Sequence, residues 1–378
     1  MDAVITGEGE TAIIQAAQLT AKGEPLPKIL HGCPFEGFTA PGIHYRPGEA
    51  LGNLLYYESS RGCPFSCAFC LSGREEKSGG STPSVRAKSA EATLTDLAAF
   101  EQFTAPITVK LVDRTFNFDR ERAKAIWRGL LSDSFTKCYH FEIAAHLLDE
   151  ESFSILARFP AGKIRLEIGL QSTNPHTLAA ISRHTDAEQV LAAAKRLTEE
   201  SSCHVHLDLI AGLPHEDFAS FARSFDRAYS CCHVLQLGFL KLLHGTALRE
   251  NTASFGAVAE GNAPYTILRT NCLSMEEIET LHAISDLCER LRDSGRFTRT
   301  LRLLLPEIFT PFAFFSAFSA YLTQKTGREL QKIAQRDLFT HLADFVGANT
   351  PVQTHWAVRE ALRADFAASE VRKPPHHL

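Results

Sequence analysis

A chain of 378 residues with 44% apolar side chains can fill one large core or two to three ordinary ones, which argues against disorder. Its 44 acidic and 39 basic residues are scattered, giving a formal charge of −5 with no lysine- or arginine-rich block to track a nucleic-acid backbone. MDAVITGEGE has no basic segment followed by an apolar run, so it does not read as a secretory signal. The most apolar stretch, Leu301 to Leu322, is broken by Arg302, Pro306, Glu307 and Pro311, the mark of a buried helix pair and not of a membrane span. The expectation is a cytoplasmic protein with no membrane partner, whose ten cysteines stay free or bind metal.

Residues 1–50 read as an end piece. A short apolar run closes on glycines, a helix follows from Thr11 to about Lys22 with Gly23 as its stop, and a Pro/Gly-rich connector runs through Pro47. A strand, a helix and a loop cannot bury a core alone, so this piece must lean on something else. From Asn53 to about Leu243, six strand-like runs alternate with helix-like segments: LLYYESS, ITVKLVD, YHFEIAA, KIRLEIGL, CHVHLDLI and HVLQLGFLKL. That alternation implies parallel pairing, in a barrel or in an open doubly wound sheet. Beyond about Pro264 the pattern turns helical, with Ser274 and Glu277 spaced as a capping box. The phenylalanines between Leu301 and Leu322 read as core packing.

RGCPFSCAFC, residues 61–70, follows the first of those six runs and places Cys63, Cys67 and Cys70 at intervals of four and three residues. Gly62 and Pro64 keep the backbone out of helix, so three thiols share a short loop that can bind soft metal. A structural zinc completed by Cys33 or His31, or chance placement, are the bland alternatives. Three cysteines on a [4Fe-4S] cluster leave one iron open to a substrate.

Further along, RLEIGLQS sets Glu167, Gly169 and Gln171 on one strand face, and HVHLDLIAGLP does the same for His204, His206, Asp208 and Ile210. Facing a barrel interior, such carboxylates need partners. Asp113, at the end of the second run, is read first as structural, and His204 and His206 as hydrogen-bonded side chains.

The Cys-x3-Cys-x2-Cys loop, with Phe69 before its last cysteine, resembles the cluster loop of radical S-adenosylmethionine (SAM) enzymes. The resemblance implies a partial (β/α)6 barrel of TIM type over residues 51–255, with Cys63, Cys67 and Cys70 ligating a [4Fe-4S] cluster that cleaves SAM to a 5'-deoxyadenosyl radical. Residue by residue it implies SAM contacts at Phe69, Glu142, Gln171, Arg183, Asp208 and Ile210. The glycine-rich end of the second strand, usual in that family, is here LVDRTFNFD, where the backbone of Asp113, Arg114 and Thr115 would stand in. DRTFN, GEGE and FLKLLHGTALRE resemble the subset of cobalamin-linked relatives that carry an all-helical C-terminal domain, here 264–378. DAVITGEGE resembles the last strand and turn of their Rossmann-like lobe, so residues 1–50 read as its remnant; no Asp-x-His-x-x-Gly cobalamin loop occurs in the 378 residues. The implied reaction is hydrogen abstraction from, or methylation or rearrangement of, a small molecule or peptide, with electrons from a flavodoxin- or ferredoxin-type reductant. The alternative is a non-catalytic iron–sulfur sensor or electron carrier.

Overall fold

The computed structural model describes residues 2–40, 42–43, 45–46, 52–74, 85–103, 107–327 and 330–369. The connector's end at Pro47, the expected boundary at 50/51 and the tail 370–378 lie outside them.

At the N-terminus, β1 (Val4–Thr6), α1 (Gly9–Ala21) and β2 (Ile29–His31) form a β-α-β unit in which the two strands pair in parallel. The sequence reading had a loop where β2 stands, since three residues followed by glycine carry too little pattern to declare a strand. Then comes β3 (Leu54–Tyr57), and β4 (Ser60–Arg61) pairs antiparallel with β5 (Arg86–Ala87) around the cysteine loop. Four further strands follow: β6 (Thr108–Leu111), β7 (Cys138–Ile143), β8 (Ile164–Gln171) and β9 (His204–Ala211). With β10 (Val234–Phe239) they complete a six-stranded parallel sheet in the order β3-β6-β7-β8-β9-β10. Each new strand joins beside its predecessor, so the order has no reversal and the sheet is a singly wound, open barrel segment, not a doubly wound sheet.

The helices between these strands are α2 (Ala90–Ala99), α3 (Arg120–Leu130), α4 (Glu150–Leu156), α5 (Pro175–Ala180), α6 (Ala187–Glu200) and α7 (Phe218–Tyr229). Asp119, Asp149, Asp186 and Asp217 cap α3, α4, α6 and α7 by accepting first-turn N–H groups. Alternation along the strands sends Val109, Leu111, Tyr139, Phe141, Leu166, Ile168, Val205 and Leu207, all buried, to the helix side. There Phe116, Trp127 and Phe141 pack with ring centroids 4.4–6.3 Å apart. Burying each such side chain contributes about 2–3 kcal/mol. The opposite face of the same strands carries Lys110, His140, Glu142, Glu167, His206 and Asp208, which is the face that builds the site.

Beyond the barrel come α8 (Ala247–Glu250), β11 (Val258–Ala259) and β12 (Ile267–Arg269), the last two an antiparallel pair. A strand thus lies within the region read as all-helical from 264. Thereafter the chain is helical through α9 (Met275–Leu287), α10 (Thr298–Leu304), α11 (Pro311–Thr326), α12 (Gln335–Asn349) and α13 (Val352–Ser369). Ser274 and Glu277 form both bonds of the capping box. Phe314, Phe315 and Phe318 of α11 are fully buried, and Phe312 packs on Phe218, Phe221 and Phe225 of α7. A π-helical turn, Cys288–Asp293, covers the start of edge strand β10. Its Arg292 donates to the carbonyls of Tyr229, Cys232 and His233, and Asp293 accepts the Leu235 N–H, which protects an edge that would otherwise invite pairing. Among the described residues no helix is long and apolar enough to cross a membrane.

Candidate functional site

The cysteine loop leaves β4 through Gly62, whose φ of 95° lies in the left-handed region where a side chain is strained. Two backbone bonds pin it: the Ala68 N–H donates to Ile181 at 2.9 Å, and the Ala68 carbonyl accepts from Leu248 at 3.0 Å. All ten cysteines are free thiols. Cys63 is buried with its Sγ 3.7 Å from Thr115 Oγ1, and Arg183 brings its guanidinium within 3.7 Å of Cys67 Sγ. Burial pushes the Cys67 thiol up, against the pull of the Arg183 charge toward thiolate.

Cys67 opens onto a cavity of about 290 Å3 at the C-terminal ends of the strands. Its floor holds three carboxyls, Glu142, Glu167 and Asp208, and its wall carries Gln171, Arg114 and Arg183. A second cavity of about 400 Å3 shares Arg114, Gln171 and Asp208 with the first and adds Phe69, Cys70 and Ile210. The carboxyls differ electrostatically. Burial, then the charges of Glu167 and Glu142, push Asp208 up to about 8, while burial also raises Glu142. Glu167 is half-buried too, yet His140 and Lys110 outweigh that and hold it down to about 2. Lys110 Nζ lies 2.8 Å from Glu167 and 3.6 Å from Glu142, and His140 Nε2 stands 3.0 Å from Glu167.

Gln171 enters by a distortion. The β8–β9 register shifts between Gly169 and Gln171, and Gln171 takes a φ of 72°. The shift sets Gln171 opposite Leu209, and its side chain still lines the cavity with Glu167, on the face that alternation gives it. Gly169 makes room: a Cβ there would meet Gln171 Nε2 at 2.2 Å, and the Gly169 carbonyl accepts from the Arg183 guanidinium. Three buried polar atoms around this cavity, Gln171 Oε1, Arg183 Nε and Asp208 Oδ1, have no hydrogen-bond partner.

The structure therefore gathers the residues named from the sequence. Cys67, Glu142, Gln171, Arg183 and Asp208 line the first cavity; Phe69, Cys70 and Ile210 line the second; Cys63 is buried and lines neither. Asp113 lines neither, being fully buried and accepting from Ser59 and Ser60. Sequence reading missed Lys110, His140 and His146. The signal for the first two was present, each being a basic side chain at an inward position of an otherwise apolar strand.

Among the described residues no three His, Cys, Asp or Glu side chains converge on a single metal ion. A [4Fe-4S] cluster sets different requirements, since each cysteine takes its own iron. Three cysteines on one pinned loop, with Cys67 and Cys70 lining the adjoining cavities and Cys63 buried, beside unpartnered polar atoms, fit a cluster with one open iron and a polar ligand next to it.

A consecutive six-stranded parallel sheet, with a three-cysteine loop after its first strand and a polar cavity at the strand ends, defines a radical SAM domain. Residues 57–228 match the sequence model of the radical SAM superfamily, and residues 253–377 match the family described as Protein of unknown function (DUF4080). The chain carries a radical SAM domain over residues 57–228, and a domain of that superfamily is built for a [4Fe-4S] cluster and SAM. It is 28% identical over 216 residues to the heme chaperone HemW of Mycobacterium tuberculosis, covering 55% of this chain and 54% of that one. The chain thus spans about half the length of the curated relatives it matches. In fold it is similar to the radical SAM methyltransferase TsrM of Kitasatospora setae with cobalamin and a [4Fe-4S] cluster bound (TM-score 0.57, 13% identity, 85% of this chain and 76% of that one). The same enzyme with tryptophan and a SAM analog bound gives a TM-score of 0.55 at 14% identity, over 70% and 58% of the two chains.

Proposed function

We propose that this chain is a radical SAM enzyme in which Cys63, Cys67 and Cys70 hold the cluster and Phe69, Glu142, Gln171, Arg183, Asp208 and Ile210 hold SAM. The observation that carries the reading is the set of unpartnered buried atoms, Gln171 Oε1, Arg183 Nε and Asp208 Oδ1, set around a cavity that opens beside Cys67. Burying such atoms without partners costs about 1–3 kcal/mol each, and a polar ligand restores the loss. When bound, the cluster and SAM together supply a 5'-deoxyadenosyl radical able to take a hydrogen atom from an unreactive carbon.

The chain's own residues arrange the reactants. Arg183, held against the Gly169 carbonyl, presents positive charge to a carboxylate; Glu142 presents negative charge to a cationic group; Phe69 and Ile210 offer an apolar slot for a flat base. The substrate, a small molecule or peptide, enters past the open edge of the barrel, and a flavodoxin- or ferredoxin-type protein supplies electrons in the cytoplasm. The resemblance to cobalamin-linked enzymes makes methylation or rearrangement the finer reading, with hydrogen abstraction alone if no cobalamin binds. The helical region from 264 and the segment 1–50 are accessory parts, the latter kin to a cobalamin lobe.

The test is anaerobic. The chain is reconstituted with iron and sulfide, given dithionite and SAM, and assayed for 5'-deoxyadenosine by mass-resolved chromatography. Its formation is expected. A full cluster that leaves SAM intact would favour the sensor or electron-carrier reading.

A further inference from the structure

Glu142 on β7 and Glu167 on β8 are direct partners in the strand register, both facing the barrel interior. Like charges placed opposite each other across a sheet are destabilising, and more so in a half-buried setting. The pair persists because a cation is inserted from a third strand. Lys110 lies on β6, in register with His140 of β7. Its ammonium reaches past β7 to Glu167 at 2.8 Å and stays 3.6 Å from Glu142. At the level of Lys110 the inward positions of β7 and β8 are His140 and Arg165, and it is Lys110 that lies against both acids.

We propose that Lys110 is a positioning residue of the SAM site: by bridging Glu167 and Glu142 it keeps Glu142 a carboxylate turned into the cavity, ready for a cationic ligand. This rests on the SAM reading of the cavity. The charged and titratable groups that act on Glu142 are Lys110, Arg114 and His140, which favour its ionised form, and Glu167, which opposes it; Asp208 feels the Glu142 charge from the neighbouring floor position. Burial and Glu167 already raise Glu142, so loss of the Lys110 charge lifts it further and shrinks its ionised fraction.

The experiment is equilibrium dialysis of labelled SAM against the anaerobically reconstituted full chain at pH 6.5 and pH 9. For K110Q we expect SAM binding weaker than the parent at pH 6.5, by no more than about tenfold for each unit of lift on Glu142, and a loss that shrinks toward the parent at pH 9, where rising pH favours the carboxylate in both. K110R, which restores the charge, should follow the parent at both values, and circular dichroism checks that both variants fold. A K110Q chain equal to the parent at both pH values overturns the proposal. So does an equal loss at both, which is the mark of a structural defect, and so does a K110R chain as weak as K110Q. A parent chain that binds no SAM overturns the SAM reading itself and this inference with it. A parent that binds while K110Q shows no pH-dependent loss overturns this inference alone.

Discussion

Replacing Gly169 by alanine places a methyl group where Gln171 now lies. The added Cβ would stand 2.2 Å from Gln171 Nε2, too close for any real contact, and 3.4 Å from the Arg183 guanidinium, an ordinary van der Waals distance. Gln171 is therefore displaced and Arg183 is not. The clashing atom ends a flexible side chain, and the backbone of Gly169 is outside the left-handed region, so the strand itself accepts alanine. Removing an in-strand glycine stabilises by about 0.5–1 kcal/mol, so thermal unfolding should stay at or slightly above the parent temperature. The site loses one neutral amide hydrogen bond to its ligand, about 0.5–1.5 kcal/mol. That corresponds to a roughly twofold to twelvefold rise in the SAM dissociation constant. Equilibrium dialysis of labelled SAM against the reconstituted chain reads it. Unchanged affinity at unchanged stability would show that the Gln171 amide does not reach the ligand, and a sharply lower unfolding temperature would show that the clash falls on the strand and not on the side chain.

Cys67→Ala should remove both the iron bound after reconstitution and the 5'-deoxyadenosine formed, as read by metal analysis and chromatography. Asp113→Ala strips the acceptor from Ser59 and Ser60 and leaves the buried Arg122 without its neighbouring negative charge, a loss of about 3 kcal/mol in urea unfolding; a loss below about 1 would contradict its structural role. Gly347→Ala on α12, where a Cβ meets nothing within 4 Å, should raise stability by about 1 kcal/mol in the same assay. Burial and neighbouring positive charge hold His204 and His206 down to about 4 each, below the ordinary histidine value of 6.5, so the unfolded chain takes up protons first as pH falls. Stability from this pair should be whole above pH 6.5 and decline toward pH 4, and the H204N/H206N chain should show a flatter profile across that window.

The six core strands were legible because each depends on its own alternation and on the glycine, proline and acidic caps beside it. The three-cysteine loop was legible because its spacing is local, and the helices beyond 274 because Ser274 and Glu277 announce their start. Alternation also placed Glu167, His206 and Asp208 on one face before any fold was in hand. It carried a signal for Lys110 as well, but not its meaning, which lies in Glu167, 57 residues away and two strands over. Nor could it show that the strand register shifts beside Gln171, that Asp113 is sealed among serines, or that Arg292 closes the edge of β10 from another part of the chain. The short strands β2 and β12 escaped as well, since three residues hold too little periodicity and their pairing is supplied by a partner elsewhere in sequence. The sequence alone determined which segments form strands and helices and which loop carries the thiols, because those follow from nearest neighbours along the chain. Only the tertiary structure decided which carboxyl stays charged, which becomes the protonated acid and which side chain reaches the cavity, because burial and Coulomb interactions act through space between strands that the chain joins only by folding.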